Sequence, residues 1–348
     1  MKKISLQNLS ILILGGAGFI GHNLALHLKK LGAKVSIIDS LSVNHLGSVR
    51  QNLDLLPNKE LSKDILYERL KLLENSKIPI YVQDARQYHE LSKYFSEIKP
   101  KVVIHLAAVS HANRSNKDPH STFDHSLRTL ENALDNAKEK TEHFIFLSSS
   151  MVYGNFKSDK VDEKTHCEPL GIYGALKYAA EKIIISYNQV FDLPYTIVRP
   201  SALYGERCIS RRIGQIFIEN ALQNKEIEIH GDGSEKLDFT YIKDLIDGIT
   251  KVIETPNSKN EIFNLTFGQA RPINDLLDIL KDNFPSISVK RIPKDKFMPK
   301  RGTLSIKKAN SILNYSPKWS IDKAYPEYIK WYLDFFKKKQ QNKFNEFV

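Results

Sequence analysis

At 348 residues and 41 % hydrophobic content, the chain is long enough for a large core or two fused domains and reads as a folded globular protein. Its longest apolar runs, such as "LSILILGG" and "KVVIHLAAV", are far shorter than the about 20 residues a membrane helix needs, and "MKKISLQNLS" leads directly into a strand-like segment. A cytoplasmic protein with no cleaved signal and no membrane partner is therefore expected.

The net charge of +11 favours anionic partners. Outside the C-terminal "FFKKKQQNK" the lysines are scattered, and no basic stripe with interleaved aromatics occurs, so nucleic acid is not an expected partner. Cys167 and Cys208 are too few for a disulfide framework, and no histidines stand at ligand spacing beside them. Both are expected to be bystanders, and no metal is expected.

The first half alternates short β-rich runs with longer helix-patterned stretches, which predicts βαβ units and a parallel sheet. The strands are "ILILG", "KVSIID", "IPIYVQD", "KVVIHLAA", "HFIFLSSS" and "YTIVRPSAL". Near-continuous apolar runs suit strands covered by helices on both faces, and six of them predict an α/β, Rossmann-type doubly wound sheet. Between the second and third strands lies a long segment, about 45–78, with helical apolar spacing at Ile65, Leu66, Leu70 and Leu73. It is expected to be an inserted helix on a lengthened surface connection with no chemical role. A nucleotide-binding domain is expected over 1–200, including a helix over 171–190. A smaller region at 201–340, interleaved with it, is expected to face the substrate.

The stretch "LGGAGFIG" sets Gly15, Gly18 and Gly21 at intervals of three, after a strand run and before apolar residues at helical spacing. In that context Gly15 supplies a turn closed to other residues, Gly18 lets a pyrophosphate reach the backbone, and Gly21 allows close helix packing. The phosphates then meet the helix N-terminus. Asp39, ending the second strand, is placed to accept the ribose hydroxyls of NAD; its charge would repel the 2′-phosphate of NADP. Asp84 in "VQDAR" is a candidate for the adenine amino group, or simply a strand-ending turn residue.

Two later stretches carry the chemistry. "FLSSSMVYG" ends a strand in Ser148, Ser149 and Ser150, and "GIYGALKYAAEKIII" places Tyr173 and Lys177 four apart, hence on one helix face. An ammonium beside a phenol stabilises the phenolate, giving a general acid/base that takes a hydroxyl proton while hydride leaves the same carbon.

With "LGGAGFIG", "HLAA", "SSSMVYG", "YGALK", "RPSALYG" and "GDGSEKLDFTYIKDL" in this order, the sequence resembles the extended short-chain dehydrogenase/reductase superfamily, in its branch of nucleotide-sugar epimerases and dehydratases. The resemblance runs from about residue 10 to about residue 320. It implies NAD held by Gly15, Gly18, Phe19, Ile20 and Gly21, by Asp39, Asp84 and Ala85, by Ala107 and Ala108, and by Tyr173, Lys177 and Pro200. It implies Tyr173 as base, Ser149 as hydroxyl partner, and a nucleoside diphosphate held by the C-terminal part. Family members often dimerise, and a homodimer using the Tyr173 helix is the expected assembly.

Dehydratases of this family place an Asp-Glu pair directly after the catalytic hydroxyl, and its decarboxylases carry a glutamate at the second of these positions; this chain has Ser150 and Met151. Methionine neither gives nor takes a proton. The favoured reading is 4-epimerisation through a transient 4-keto sugar, with a one-way 4-ketoreductase or dehydrogenase as the alternative, a dehydratase or decarboxylase behind it, and a non-catalytic dinucleotide sensor as a distant one. Three positions depart from the family pattern: Ala202 for an asparagine, Leu237 for an arginine, and Leu176 for a serine. Candidate substrate contacts are Ser149, Ser150, His111, Asn113 and Arg114, with His125 on the next helix, then Arg207, Arg211 and Arg212, Lys236 beside Leu237, and Arg301. For each of these charges an exposed, solvated position is the competing reading.

Overall fold

The computed structural model describes residues 3–42, 58–108, 112–294 and 299–345. Seven strands form its central sheet: β1 (Ser10–Leu14), β2 (Lys34–Asp39), β3 (Ile80–Val82), β4 (Val102–His105), β5 (His143–Leu147), β6 (Tyr195–Arg199) and β7 (Glu261–Asn264). They lie in the order β7-β6-β5-β4-β1-β2-β3, and every neighbouring pair is parallel. After β3 the chain recrosses β1 to start β4, so the winding reverses between β1 and β4. Ligands of doubly wound sheets bind at the carboxyl ends of strands at such a point.

Alternation along β1 explains the two layers. Ile11 and Ile13 face one core and Leu12 and Leu14 the other. The first face is covered by α1 (Phe19–Lys30), α2 (Lys59–Asn75) and later helices, the second by α3 (Tyr88–Ile98) and two helices from the middle of the chain. Between them come two short helices, α4 (Ala112–Lys117) and α5 (Pro119–Phe123), a π-helical turn at Asp124–Arg128, and then α6 (Thr129–Ala137) and α7 (Gly171–Phe191). The later chain supplies α8 (Ile213–Leu222), α9 (Ile242–Glu254), α10 (Ile273–Asn283), α11 (Lys307–Leu313) and α12 (Ile321–Asn345).

Two expectations are corrected here. The sheet has seven strands rather than six: β7 lies beyond residue 200 and pairs Ile262 with Ile197 and Phe263 with Val198, so the later chain builds part of the nucleotide-binding sheet. The inserted segment is no surface connection. In α2, Leu61, Ile65, Leu66 and Leu73 are fully buried in the main core, and Arg69, not Leu70, completes that face. Residues 45–57 of the segment lie outside the described residues.

The core also holds neutral histidines. His143 is buried at the start of β5, and its Nε2 lies 2.7 Å from Thr196 Oγ1, whose own proton goes to the Ser258 carbonyl 2.6 Å away. Nε2 therefore carries the hydrogen and donates to Thr196. Burial, with Lys259 adding to it, pushes this imidazole down to about 3. The unfolded chain binds the proton first, so stability falls as pH drops below about 6.5 toward the folded value. The variant His143→Gln keeps a donor to Thr196 but does not titrate. Its loss of unfolding free energy between pH 7 and pH 5 should be smaller than the wild type's by about 2 kcal/mol, as read from urea titrations at both pH values; parallel losses would contradict this assignment.

Candidate active site

The loop after β1 is fixed by contacts that only glycine allows. Gly15 has φ +78°, and a Cβ there would lie 2.8 Å from the Ala107 nitrogen and 2.9 Å from its Cα. The loop thus presses on the chain leaving β4. Gly18 caps α1 without a side-chain hydrogen bond, leaving the first amides of the helix, on Phe19, Ile20 and Gly21, without partners in the helix. A Cβ on Gly21 would meet the Gly16 backbone at 2.5 Å, so α1 starts in direct contact with the loop. This is a cradle of backbone N–H groups at a positive helix end, fitted to a pyrophosphate.

Asp39 holds the cradle in shape. Its carboxylate accepts the Ala17 N–H at 3.0 Å and the Leu41 N–H at 2.8 Å. Asp84, at the neighbouring strand end, is clamped by Arg86, which also reaches Asp124 at 2.6 Å. Burial works to raise the Asp84 carboxyl, but the Arg86 hydrogen bonds override it and hold the group below its ordinary range. The Ala85 carbonyl accepts from Asn132 at 2.9 Å, tying this strand end to α6.

Across the crevice, α7 brings Tyr173 and Lys177 to one small cleft, lined also by Ala108, Ser126, Phe146, Leu176 and Ala180. Gly174 permits the approach: a Cβ there would stand 2.8 Å from the Met151 carbonyl, so the helix lies directly on the turn Ser150–Tyr153. Lys177 is buried, donates to the Leu147 carbonyl at 2.7 Å and sits 4.7 Å above the Phe146 ring. Burial pushes its ammonium down to about 8, with Glu181 opposing. Ser149 Oγ accepts the Met151 N–H at 3.2 Å, which leaves its own O–H available to another oxygen. Ser150 is buried and donates to Ser201. Pro200 is buried and its carbonyl accepts the Ser150 N–H at 2.9 Å.

Beneath the cleft lies an ion pair that the sequence reading missed. Arg199 at the end of β6 grips Glu181 with two bonds of 2.9 and 2.6 Å and donates to the Tyr153 hydroxyl at 3.0 Å; Ser148 donates to the same glutamate. The spacing of four that joins Tyr173 to Lys177 continues to Glu181 and was the available signal. The pair locks together the carboxyl ends of β5 and β6 and α7; leaving either charge alone in this core would be costly.

The candidate substrate arginines separate. Arg301 contacts the Met151 sulfur, and its guanidinium shares its surroundings with Arg212 and Tyr173; burial, with Arg212 adding to it, pushes it down to about 10. Arg212 caps α8, and its Nε is buried with no hydrogen-bond partner among the described residues. Among the described residues neither guanidinium forms an ion pair with a carboxylate, and two such neighbouring cations are suited to an anion. The Arg207 side chain bonds His22 and Asn23 of α1 and braces the loop against that helix. Arg211 and Lys236 are exposed. His125 bonds the Ser121 carbonyl at 2.8 Å in the π-helical turn. His111 lies outside the described residues, as do the side chains of Asn113 and Arg114 on α4. Cys167 and Cys208 are buried free thiols, raised by burial.

The fold and the cleft define a Rossmann-type enzyme that uses NAD. The model of the NAD dependent epimerase/dehydratase family matches residues 11–266, and the chain belongs to that family. An uncharacterized UDP-glucose epimerase of Bacillus subtilis, YtcB, is 29 % identical over 90 % of this chain and 94 % of its own length. A UDP-glucuronic acid 4-epimerase from Bacillus cereus, solved with UDP-glucuronic acid and NAD, is 30 % identical with a TM-score of 0.80, covering 92 % of this chain and 98 % of that one. A UDP-glucose 4-epimerase from Thermotoga maritima, solved with UDP-glucose, is 26 % identical with a TM-score of 0.79, covering 94 % and 99 %.

Proposed function

We propose that the chain inverts C4 of a nucleotide sugar. The observation that carries this reading is the cleft in which Tyr173, Lys177 and Ala108 meet, beside a glycine cradle shaped for a dinucleotide. The Gly15–Gly21 loop and Asp39 would hold NAD, which when bound would supply the hydride acceptor and donor that inversion at C4 through a 4-keto sugar needs. Tyr173 takes the proton from the C4 hydroxyl and gives it back. Lys177, anchored to the Leu147 carbonyl, lines the same cleft as the Tyr173 phenol and keeps an ammonium there. Ser149 offers its O–H to the same sugar oxygen.

Met151 supports epimerisation over elimination of water. Its buried thioether occupies the position where a second proton carrier would be needed, and it faces Arg301. Arg301 and Arg212 are the groups assigned to the diphosphate. The exposed Val190 and Phe191 at the end of α7 support pairing of two copies along this helix. Among the described residues no helix is long and apolar enough to cross a membrane, and cytoplasmic residence is the setting we assign.

The test is incubation with UDP-glucose and UDP-glucuronic acid, extended to GDP-, dTDP- and CDP-sugars, with products read by NMR. Inversion at C4 without net change in NADH absorbance is expected. Stoichiometric NADH formation or consumption would replace the epimerase with a one-way dehydrogenase or reductase.

A further inference from the structure

Arg69 is an arginine in the middle of the buried face of α2, only 1 % exposed. Its Nε donates to the Arg207 carbonyl at 2.8 Å and its second terminal nitrogen contacts the same oxygen. Arg207 has φ +62°, a left-handed conformation unusual for a side chain of this size, and the loop flips again at Arg211, φ +51°. The side chain of Arg207 runs the other way. Its Nε lies 3.1 Å from His22 Nε2 and its terminal nitrogen 3.2 Å from Asn23 Oδ1, while Glu68 of α2 stands 3.7 Å from the remaining nitrogen. His22 Nδ1 in turn sits 2.8 Å from the Gly18 carbonyl. A carbonyl only accepts and an Arg Nε only donates, so His22 is neutral with its hydrogen on Nδ1.

The Arg207 peptide is therefore riveted to α1 by its side chain and to α2 by its carbonyl. Five residues further on, the same loop delivers Arg212, whose Nε is buried beside Arg301 with no hydrogen-bond partner among the described residues. An apolar residue would fill the site of Arg69 at lower desolvation cost. What the guanidinium adds is a planar pair of donors that fixes one strained carbonyl and with it the course of the loop.

We propose that Arg69 of the inserted helix is a positioning residue for substrate: by holding the Arg207 carbonyl it sets the 205–212 loop so that Arg212 faces Arg301 across the site of the diphosphate. The inserted segment, which the sequence reading left without a role, thus governs substrate affinity from outside the site. This rests on the nucleotide-sugar reading above.

The experiment compares wild type, Arg69→Met, Arg212→Ala and the double variant, each with its NAD content and Tm measured. UDP binding is read by calorimetry, and KM and kcat with the UDP-sugar that turns over. Arg69→Met is expected to raise the Kd for UDP and the KM by about ten-fold with kcat little changed, and to add almost nothing once Arg212 is gone, because both act through one contact. Trypsin cleavage after Arg211 or Arg212 should also accelerate by about ten-fold at temperatures where the fold is intact. Unchanged Kd and unchanged cleavage, or full additivity in the double variant, would overturn the proposal. If Arg69→Met does not fold, Arg69→Lys, which keeps the charge on a single donor nitrogen and loses the planar pair, carries the same cycle. A wild type that binds no UDP, GDP, dTDP or CDP overturns the proposed function instead, and the trypsin comparison still decides whether Arg69 sets the loop.

Discussion

Replacing Tyr173 with phenylalanine should lower kcat by about 10²–10⁴-fold, the usual worth of a positioned general acid/base, while the protein keeps its NAD and its Tm. The geometry separates these effects. The phenol is half-buried in the cleft and makes no hydrogen bond among the described residues, so removing one oxygen leaves no internal group unsatisfied. Lys177 retains its bond to Leu147, and the glycine cradle lies on another element. With substrate bound, phenylalanine cannot take the C4 hydroxyl proton, and neither Ser149 nor the Met151 thioether can substitute. The measurement is single-substrate turnover by NMR beside the NAD content of the purified protein. Activity within a few-fold of wild type would remove Tyr173 from the mechanism and assign the proton transfer to another group.

The parts of this enzyme that were legible in the sequence are those governed by local pattern. Strands such as Ser10–Leu14 and His143–Leu147 are near-continuous apolar runs because helices cover both faces, and the Tyr173–Lys177 spacing fixes a shared helix face whatever the tertiary context. The misreadings all involve partners distant along the chain. The segment at Glu261–Asn264 becomes a central-sheet strand only because it pairs with Tyr195–Arg199, some 65 positions earlier in register. In α2 the helical stripe was drawn through Leu70, but Arg69 is the buried one, because a carbonyl 138 residues away meets it.

The arginine cluster "ERCISRR" shows the limit most directly. Three like side chains within six positions go to three environments: Arg207 to α1, Arg211 to solvent and Arg212 toward Arg301. Left-handed turns at Arg207 and Arg211 set these directions, and arginine carries no marker for them as glycine would. Glu181 differs, since its spacing from Lys177 was visible; what was hidden was Arg199 as its partner on β6.

The variant Gly21→Ala should purify without NAD, its affinity for the cofactor falling by about 100-fold, equivalent to about 2.7 kcal/mol, and its stability by about 1–3 kcal/mol. The added methyl would stand 2.5 Å from the Gly16 Cα, 2.6 Å from its oxygen and 2.7 Å from its carbonyl carbon. Backbone cannot swing aside as a flexible side chain does. Gly16 itself packs closely on β2, where a Cβ added to it would lie 2.7 Å from both γ-carbons of Ile37. The strain must therefore move α1 outward, carrying the amides of Phe19 and Ile20 from the cradle and pulling His22 from Gly18 and Arg207. Thermal unfolding with and without added NAD checks this. Wild type should gain Tm with the cofactor and the variant should not, whereas a variant that retains stoichiometric NAD would show that the pyrophosphate is held elsewhere. Because Tyr173→Phe should leave that gain intact, the two variants together separate the binding of the cofactor from the proton transfer that follows.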